Sequence, residues 1–281
     1  MFAKLFKYDM KSIKRYALPL LIFLSCLTVV GAIDGAVLVK STENFSDDNA
    51  EAFIPNLLFT ASIFSLLFIV FAIVAVGAIA GILVMVEYYK STVTDEAYLT
   101  FTLPVKSKQI LMSKTLNGVI WSIVFALASI VSILIIFIVI GISIGPSNYP
   151  PDTNVTTSDL GGVGAILFTV FSAVLFAFTF VVNSVLLYFM AITLSSTLTT
   201  KHRVLCAIGC VIGINFGYGI INDVIQTIIT LIAMAGATVS GEVAFWVTGW
   251  TMLVRAVFMA GFSVLFFYFT NKMLDKKLNL A

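Results

Sequence analysis

The sequence predicts an all-α integral membrane protein with six membrane-spanning helices. Of its 281 residues, 60% are hydrophobic and only 11% are charged, whereas soluble domains carry about 25% charged residues. Six apolar runs approach or exceed the roughly 20 residues that a helix needs to cross a bilayer. No polar stretch between them is long enough for a second folded domain, so residues 1–281 are expected to form one membrane domain.

The chain opens with a segment that is both basic and apolar. Residues 1–15 carry apolar side chains close to one helical face and basic residues over the remainder. This pattern predicts an N-terminal amphipathic helix on an anionic membrane surface; the alternative is an ordinary positive flank to the first span. The predicted spans follow at about 17–38, 57–86, 117–144, 163–190, 204–221 and 251–270.

Basic residues decide the orientation of the spans. If the N-terminus is cytoplasmic, fourteen basic residues lie on the cytoplasmic side and only Lys40 lies in an outer loop. This asymmetry follows the positive-inside rule and predicts that both termini are cytoplasmic. The fourteen are Lys4, Lys7, Lys11, Lys14, Arg15, Lys90, Lys106, Lys108, Lys114, Lys201, Arg203, Lys272, Lys276 and Lys277.

The segment between the second and third spans differs from both of its neighbours. Residues 87–114 carry seven charged side chains, yet an apolar core at residues 98–105 lies inside this segment. One interpretation is a connector whose aromatic side chains rest on the membrane surface. The other is a docking element that offers apolar side chains, framed by charge, to a soluble partner.

The fifth apolar region contains small and polar residues that membrane helices use for contact. Gly209, Gly213 and Gly217 are spaced so that another helix can approach closely. The sequence leaves open whether this region packs against helices or lines a translocation path. Its polar members are Asn215, Asn222, Asp223 and Gln226.

Arg255 is the only basic residue within an apolar run, and a charge near mid-bilayer costs roughly 3 kcal/mol on insertion scales. We predict that the last span begins near residue 251, which places Arg255 at the outer interface. Residues 222–250 then form a short extracellular helical hairpin, and Asp223 pairs with Arg255 at similar depth. A span that begins near residue 244 would instead bring Arg255 close to mid-bilayer.

The sequence lacks the patterns of a complete active site. Its single histidine, His202, lies in a short basic loop with no second ligand nearby. It contains no H-E-x-x-H motif, no G-x-S-x-G elbow and no G-x-x-x-x-G-K-[ST] phosphate loop. Cys206 and Cys210 share a helix face, but two cysteines alone indicate packed thiols rather than a metal site. We therefore expect no enzymatic activity, no cofactor or metal in this chain and no nucleic-acid partner.

The segment between the second and third spans resembles a known family. Residues 87–89 read EYY at the end of a span, and residues 94–105 read TDEAYLTFTLPV. These residues are similar to those of permease subunits of bacterial ABC transporters of the type-2 exporter class. Members common in Firmicutes often show D-E-G-Y-L-T-F-T-L-P-V here, and Ala97 stands where glycine is usual. We call residues 95–106 the central loop.

The resemblance implies a six-span permease for export, with ATP hydrolysed by a separate ABC ATPase subunit that binds ATP and Mg²⁺. The central loop would contain a coupling helix that docks on this ATPase. Two permease chains, identical or different, and two ATPase chains would form the working unit in a bacterial cell membrane. Asp95 and Glu96 would cap the coupling helix, and Pro104 would end it. Its apolar anchors would be Tyr98, Leu99, Phe101 and Leu103.

Two other functions stay open at this point. One is a membrane-embedded structural or sensor protein that transports nothing. The other is a secondary transporter, which usually carries intramembrane ionisable pairs or broken helices in repeated halves, and the sequence shows no clear repeat. The substrate of an exporter is not readable, because lipids, peptide antibiotics and hydrophobic drugs all suit an apolar lining.

Overall fold

The computed structural model describes residues 2–43, 53–94, 107–144, 162–198, 203–235 and 241–278, and these residues form six long α-helices. Each of the six is long and apolar enough to cross a membrane. The all-α, multi-pass architecture expected from the composition is therefore confirmed. In chain order the helices are α1 (Phe2–Glu43), α2 (Phe53–Val93), α3 (Ser107–Ile144), α4 (Gly162–Leu198), α5 (Arg203–Ala235) and α6 (Gly241–Leu278).

Each predicted span lies inside one of these helices, but the helices are longer than the spans. They contain 33 to 42 residues, whereas a crossing needs roughly 20. Residues 2–15 are the first turns of α1 rather than a separate amphipathic helix, and Pro19 lies inside the same helix. Neither glycine nor proline occurs before Pro19, so nothing in the backbone ends a helix at residue 15.

The region predicted to form a hairpin, residues 222–250, also differs from expectation. α5 continues through Ala235, and α6 already begins at Gly241. Residues 222–235 contain neither glycine nor proline, so α5 has no local signal to stop before Gly236. The described parts of this region belong to the two long helices, and Arg255 lies nine residues inside the apolar span that begins at Trp246.

The chain divides into two compact units. The C-terminal unit comprises Met1–Asp9, Met85–Val119 and Asn154–Ala281, and the N-terminal unit comprises Met10–Val84 and Ile120–Thr153. The divisions fall inside α1, α2 and α3, so each of these helices contributes residues to both units.

The core of the N-terminal unit is aliphatic and depends on close helix approach. A Cβ atom at Gly31 would lie 2.7 Å from Ile136 Cδ1, and one at Gly35 would lie 2.8 Å from Ile140 Cγ1. The side chains of α3 therefore reach the α1 backbone because α1 carries no side chain at these two positions. The buried members of this core are Leu24, Ile69, Ile73, Val76 and Ile136.

The C-terminal unit contains α4, which packs along both α5 and α6, and a buried amide on α4. Asn183 Nδ2 donates to Tyr218 Oη at 2.8 Å, and Ser263 Oγ donates to Asn183 Oδ1 at 3.4 Å. Asn183 is only 2% exposed, so these bonds satisfy a polar group that aliphatic neighbours could not. The buried apolar members of the adjoining core are Leu186, Leu187 and Phe266.

Many hydroxyl side chains bond within their own helix. Thr28 donates to the Leu24 carbonyl at 3.0 Å, and Ser132 donates to the Ala128 carbonyl at 2.8 Å. Such bonds, to the carbonyl three or four residues earlier, let serine and threonine lie among apolar residues without a partner on another helix. The same holds for Ser143, Ser172, Thr179, Ser184, Thr227 and Thr230.

Candidate functional site

The helix ends on either side of the central loop form a tightly packed cluster in the C-terminal unit. These ends are residues 85–94 of α2 and residues 107–119 of α3. We call them, together with Asp9, Phe189, Thr193 and Asp275, the loop base. Outside the described part of the chain lie the predicted coupling residues Asp95, Glu96, Tyr98, Leu99, Phe101, Leu103 and Pro104.

Tyr88 anchors the α2 side of the loop base. Its ring stacks on that of Phe189 of α4, with centroids 3.8 Å apart and the planes 7° from parallel. Its hydroxyl shares a 2.8 Å hydrogen bond with Thr193 Oγ1, one turn further along α4. Tyr88 and Phe189 are 2% and 1% exposed, so the stack is fully packed. Burial of the tyrosine requires a partner for its hydroxyl, and Thr193 provides it.

The α3 side of the loop base is held to the end of α6. Ser107, the first residue of α3, donates a hydrogen bond to the carboxylate of Asp275. Asn271, one turn earlier on α6, also donates to that carboxylate, at 3.4 Å. Ile110, Leu111 and Ser113 follow on α3, each no more than 1% exposed. The chain therefore enters α3 at a buried position rather than at a solvated helix end.

A buried ion pair joins the α3 side to the start of α1. Lys114 Nζ lies 3.6 Å from Asp9 Oδ1, and Ser113 Oγ donates to Asp9 Oδ2 at 2.8 Å. The side chains of Lys114 and Asp9 are 8% and 16% exposed. Because an unpaired charge in such a place costs several kcal/mol, each of these residues depends on the other. Lys114, which the orientation argument counted as a cytoplasmic cation, has its charge balanced inside the protein.

These contacts give the loop base a mechanical property. Stacking, hydrogen bonding and an ion pair are directional, and they tie both ends of the central loop to α1, α4 and α6. A displacement of the central loop must therefore move these helices or break the contacts.

The predicted glycine face of α5 is open. A Cβ atom at Gly209, Gly213 or Gly217 would meet no atom within 4 Å among the described residues, apart from its own helix. Ile212 and Phe216, on the same helix, are 63% and 71% exposed. Asn215, also predicted to belong to this region, donates to the Val211 carbonyl of its own helix at 2.9 Å.

Arg255 has a partner, but not the one expected. In the amide orientation that hydrogen bonding requires, Gln226 Oε1 accepts from the two terminal guanidinium nitrogens of Arg255 at 3.0 and 3.2 Å. Asp223 is exposed, and across the described residues no ion pair joins it to Arg255. Residues 223 and 226 are three apart and so about 60° apart around α5. The prediction of an Asp223–Arg255 pair is therefore wrong, although Asn222 and Gln226 are both half-buried as a contact face requires.

Sequence reasoning missed several polar contacts. Asn183 had a visible signal, since it is the only amide in an otherwise apolar run of α4. The pairs Asp9–Lys114 and Ser107–Asp275 had none, because their partners are more than 100 residues apart in the chain. The two thiols of Cys206 and Cys210 lie 4.0 Å apart, and no cluster of three potential metal ligands occurs within the described helices.

Comparison with known proteins adds no further constraint. No protein-family model, curated protein or solved structure matches the chain. The functional argument therefore depends on the residues and contacts described above.

Proposed function

We propose that the chain is the membrane-spanning permease subunit of an ATP-driven exporter, and that a separate ATPase subunit docks on its central loop. The observation that carries this proposal is the loop base. The central loop carries charged residues around an apolar core. The helix ends on both sides of it are buried and are held by an aromatic stack, hydrogen bonds and an ion pair. A loop that only connected two helices on the membrane surface would not need anchors of this kind.

An ATPase that changes conformation on ATP binding can move a permease only through rigid contacts. In the proposed complex, Tyr98, Leu99, Phe101 and Leu103 insert into a groove of the ATPase. Asp95 and Glu96 cap the coupling helix and Pro104 ends it. ATP and Mg²⁺ bind the ATPase, and this chain binds no cofactor.

The proposed assembly contains a second permease chain, identical or different, in a bacterial cell membrane. The open glycine face of α5 supports this part of the proposal, because small residues at such spacing allow a helix of another chain to approach closely. The cytoplasmic position of both termini, and hence of the central loop, follows from the distribution of lysine and arginine.

The experiment is co-purification of the chain with a candidate ABC ATPase subunit, taken from a neighbouring gene that encodes the Walker motifs. The test variant is Phe101→Asp/Leu103→Asp, which places two charges among the apolar anchors. The matched control is Thr199→Asp/Thr200→Asp, which adds the same two charges to the other predicted cytoplasmic connection. We expect the wild type and the control to retain the ATPase through detergent extraction, and the test variant to lose it.

Equal retention of the ATPase by all three proteins would contradict docking on the central loop. A failure of the wild type to retain any ATPase would favour the alternative of a non-transporting structural or sensor protein. Transport that persists in vesicles without ATP, driven by an ion gradient, would favour a secondary transporter.

A further inference from the structure

A cation without a carboxylate partner lies inside the apolar span of α6. Arg255 is nine residues past the start of that span and about 7.5 Å along the helix axis from Trp250. Its terminal nitrogens donate to Gln226 of α5, and its Nε atom, which is buried, has no partner among the described residues. The neutral amide orients the guanidinium but leaves its charge uncompensated.

An anion with several acceptor oxygens would compensate this charge. Guanidinium presents five N–H donors in a planar fork and is suited to phosphate and carboxylate groups. Asp223, the acidic residue of α5, forms no ion pair with Arg255 in the described part of the chain. A phosphate group at the terminal guanidinium nitrogens would compensate the charge.

An apolar groove begins two residues beyond Arg255 on the same helix. It is lined by Val257, Phe258, Gly261, Phe262 and Leu265, and its volume is about 270 Å³. The groove stays open because a Cβ atom at Gly261 would meet nothing within 4 Å in the described structure. Enclosed sites for compact small molecules occupy roughly 300–1,000 Å³, so this smaller, open groove suits a single hydrocarbon chain.

Tryptophans mark the end of α6 at which the anion would lie. Trp246 and Trp250 pack on Phe168 of α4, with ring centroids 5.1 and 5.5 Å apart. Tryptophan is enriched at the level of lipid headgroups. Along α6 the order is therefore headgroup marker, cation and apolar groove, which is the order of headgroup, phosphate and acyl chain in a phospholipid.

We propose that Arg255 and the groove from Val257 to Leu265 bind one anionic phospholipid. The phosphate contacts the Arg255 guanidinium, held in place by Gln226, and one acyl chain follows the groove past Gly261. A phospholipid is the occupant because the site combines a cation with an apolar groove on a surface whose neighbouring side chains, such as Val257 and Leu265, are at least half exposed. This proposal does not depend on the proposed transport function.

The test is native mass spectrometry of the full chain in detergent, titrated with equal amounts of phosphatidylglycerol and diacylglycerol, which carries the same two acyl chains on glycerol but no phosphate. We expect the wild type to retain the anionic lipid about tenfold more tightly, the effect of one charge-assisted contact. Arg255→Met should abolish this preference, and Arg255→Lys, which keeps the charge, should retain most of it. Lys272→Met is the control, because it removes an exposed cation elsewhere on α6.

A second pair of variants tests the groove. Gly261→Leu fills it and should weaken retention of both lipids, whereas Gly164→Leu adds the same side chain at an open position of α4 and should not. Equal retention of the two lipids by the wild type would overturn the proposal. So would a preference that survives Arg255→Met but disappears in Lys272→Met, since the lipid would then respond only to surface charge.

Discussion

The first three helices contribute to two kinds of packing along their length. In the N-terminal unit they meet through aliphatic side chains and the close contacts at Gly31 and Gly35. In the loop base, which is part of the C-terminal unit, residues of the same helices meet others through an aromatic stack, hydrogen bonds and an ion pair. The same three helices thus meet mainly through apolar packing in the N-terminal unit, where Asp34 and Ser65 form one hydrogen bond, and through directional contacts in the loop base.

The difference follows from the surroundings of each region. Among lipid tails, aliphatic contact between helices gains little over contact with lipid, so close packing and small residues supply the stability. Directional bonds fix both distance and angle, and their loss is costly where water cannot replace the partner. The loop base is therefore expected to be the stiffer region, and the aliphatic core the more adaptable one.

The largest expected effect is the loss of the aromatic stack in the loop base. Phe189→Ala removes a ring that is 1% exposed and in contact with Tyr88, so we expect a loss of about 3–5 kcal/mol in the free energy of unfolding. Unfolding in mixed detergent and SDS micelles measures this. Phe178→Ala, on the same helix but 51% exposed, should change stability by about 0.5 kcal/mol or less. Similar losses in the two variants would show that the loop base is no stiffer than a lipid-facing surface.

The second effect is the loss of one member of the buried ion pair. Lys114→Met leaves Asp9 charged and without its cation, and Asp9→Asn leaves Lys114 likewise. Because both side chains keep some exposure, we expect each to cost about 2–3 kcal/mol, below the range for fully buried pairs. The double variant should cost clearly less than the sum, since no unpaired charge remains. Additive losses in the same unfolding assay would mean that the pair contributes no coupling.

The third effect tests whether the aliphatic core requires glycine at residue 31, through the sign of the change in the free energy of unfolding. Gly31→Ala places a methyl group 2.7 Å from Ile136 Cδ1, so we expect a net loss of about 1 kcal/mol. Ile136→Val removes that terminal methyl and should restore part of the loss. Gly209→Ala, at an open position of α5, should instead gain about 0.5 kcal/mol in the isolated chain, because alanine favours helix more than glycine does. A gain at residue 31 would show that the close approach is not required.

The smallest effect concerns a polar contact inside the N-terminal unit. Asp34 of α1 accepts a 2.5 Å hydrogen bond from Ser65 of α2, which also bonds to the Ser62 carbonyl. Asp34→Asn keeps an acceptor and removes a charge, and Ser65 keeps its bond within α2. Since interhelical hydrogen bonds in membrane proteins average about 0.6 kcal/mol, the change should be within about 0.5 kcal/mol. A loss above 2 kcal/mol would place Asp34 among the directional anchors.

The sequence was sufficient for the number and type of the long apolar helices that the described residues form. Hydropathy over about 20 residues is a strong signal, because every backbone polar group in lipid must be bonded within the helix. The ends of the helices were less accessible. α5 continues to Ala235 and α3 begins at Ser107. At Ser107 the packing of buried residues, rather than the membrane, supports the helix.

The sequence predicted where in the chain the candidate site lies, but not which residues contact one another there. The charge and apolar pattern of residues 87–114 indicated that the central loop is special, but it gave no sign of the contacts of Tyr88 with Phe189 or of Asp9 with Lys114. Such contacts depend on which helices are neighbours, and a single sequence does not specify this. The predicted partner of Arg255 was wrong. Asp223 was expected because it lies at a similar depth in the membrane, but Gln226, nearly one turn further along α5, is the residue that bonds to Arg255.

Hydroxyl groups that bond within one helix have a consequence for biogenesis. The hydroxyl of Ser132 on α3 can enter the lipid before the helix meets any partner, because it already donates to the Ala128 carbonyl of the same helix. Asn183 of α4 and Arg255 of α6 differ, since their partners Tyr218 and Gln226 both belong to α5. α5 is synthesised between these two helices. During translation, therefore, Asn183 Nδ2 meets its partner with the next helix, Asn183 Oδ1 meets Ser263 only when α6 follows, and Arg255 enters a membrane in which Gln226 is already present.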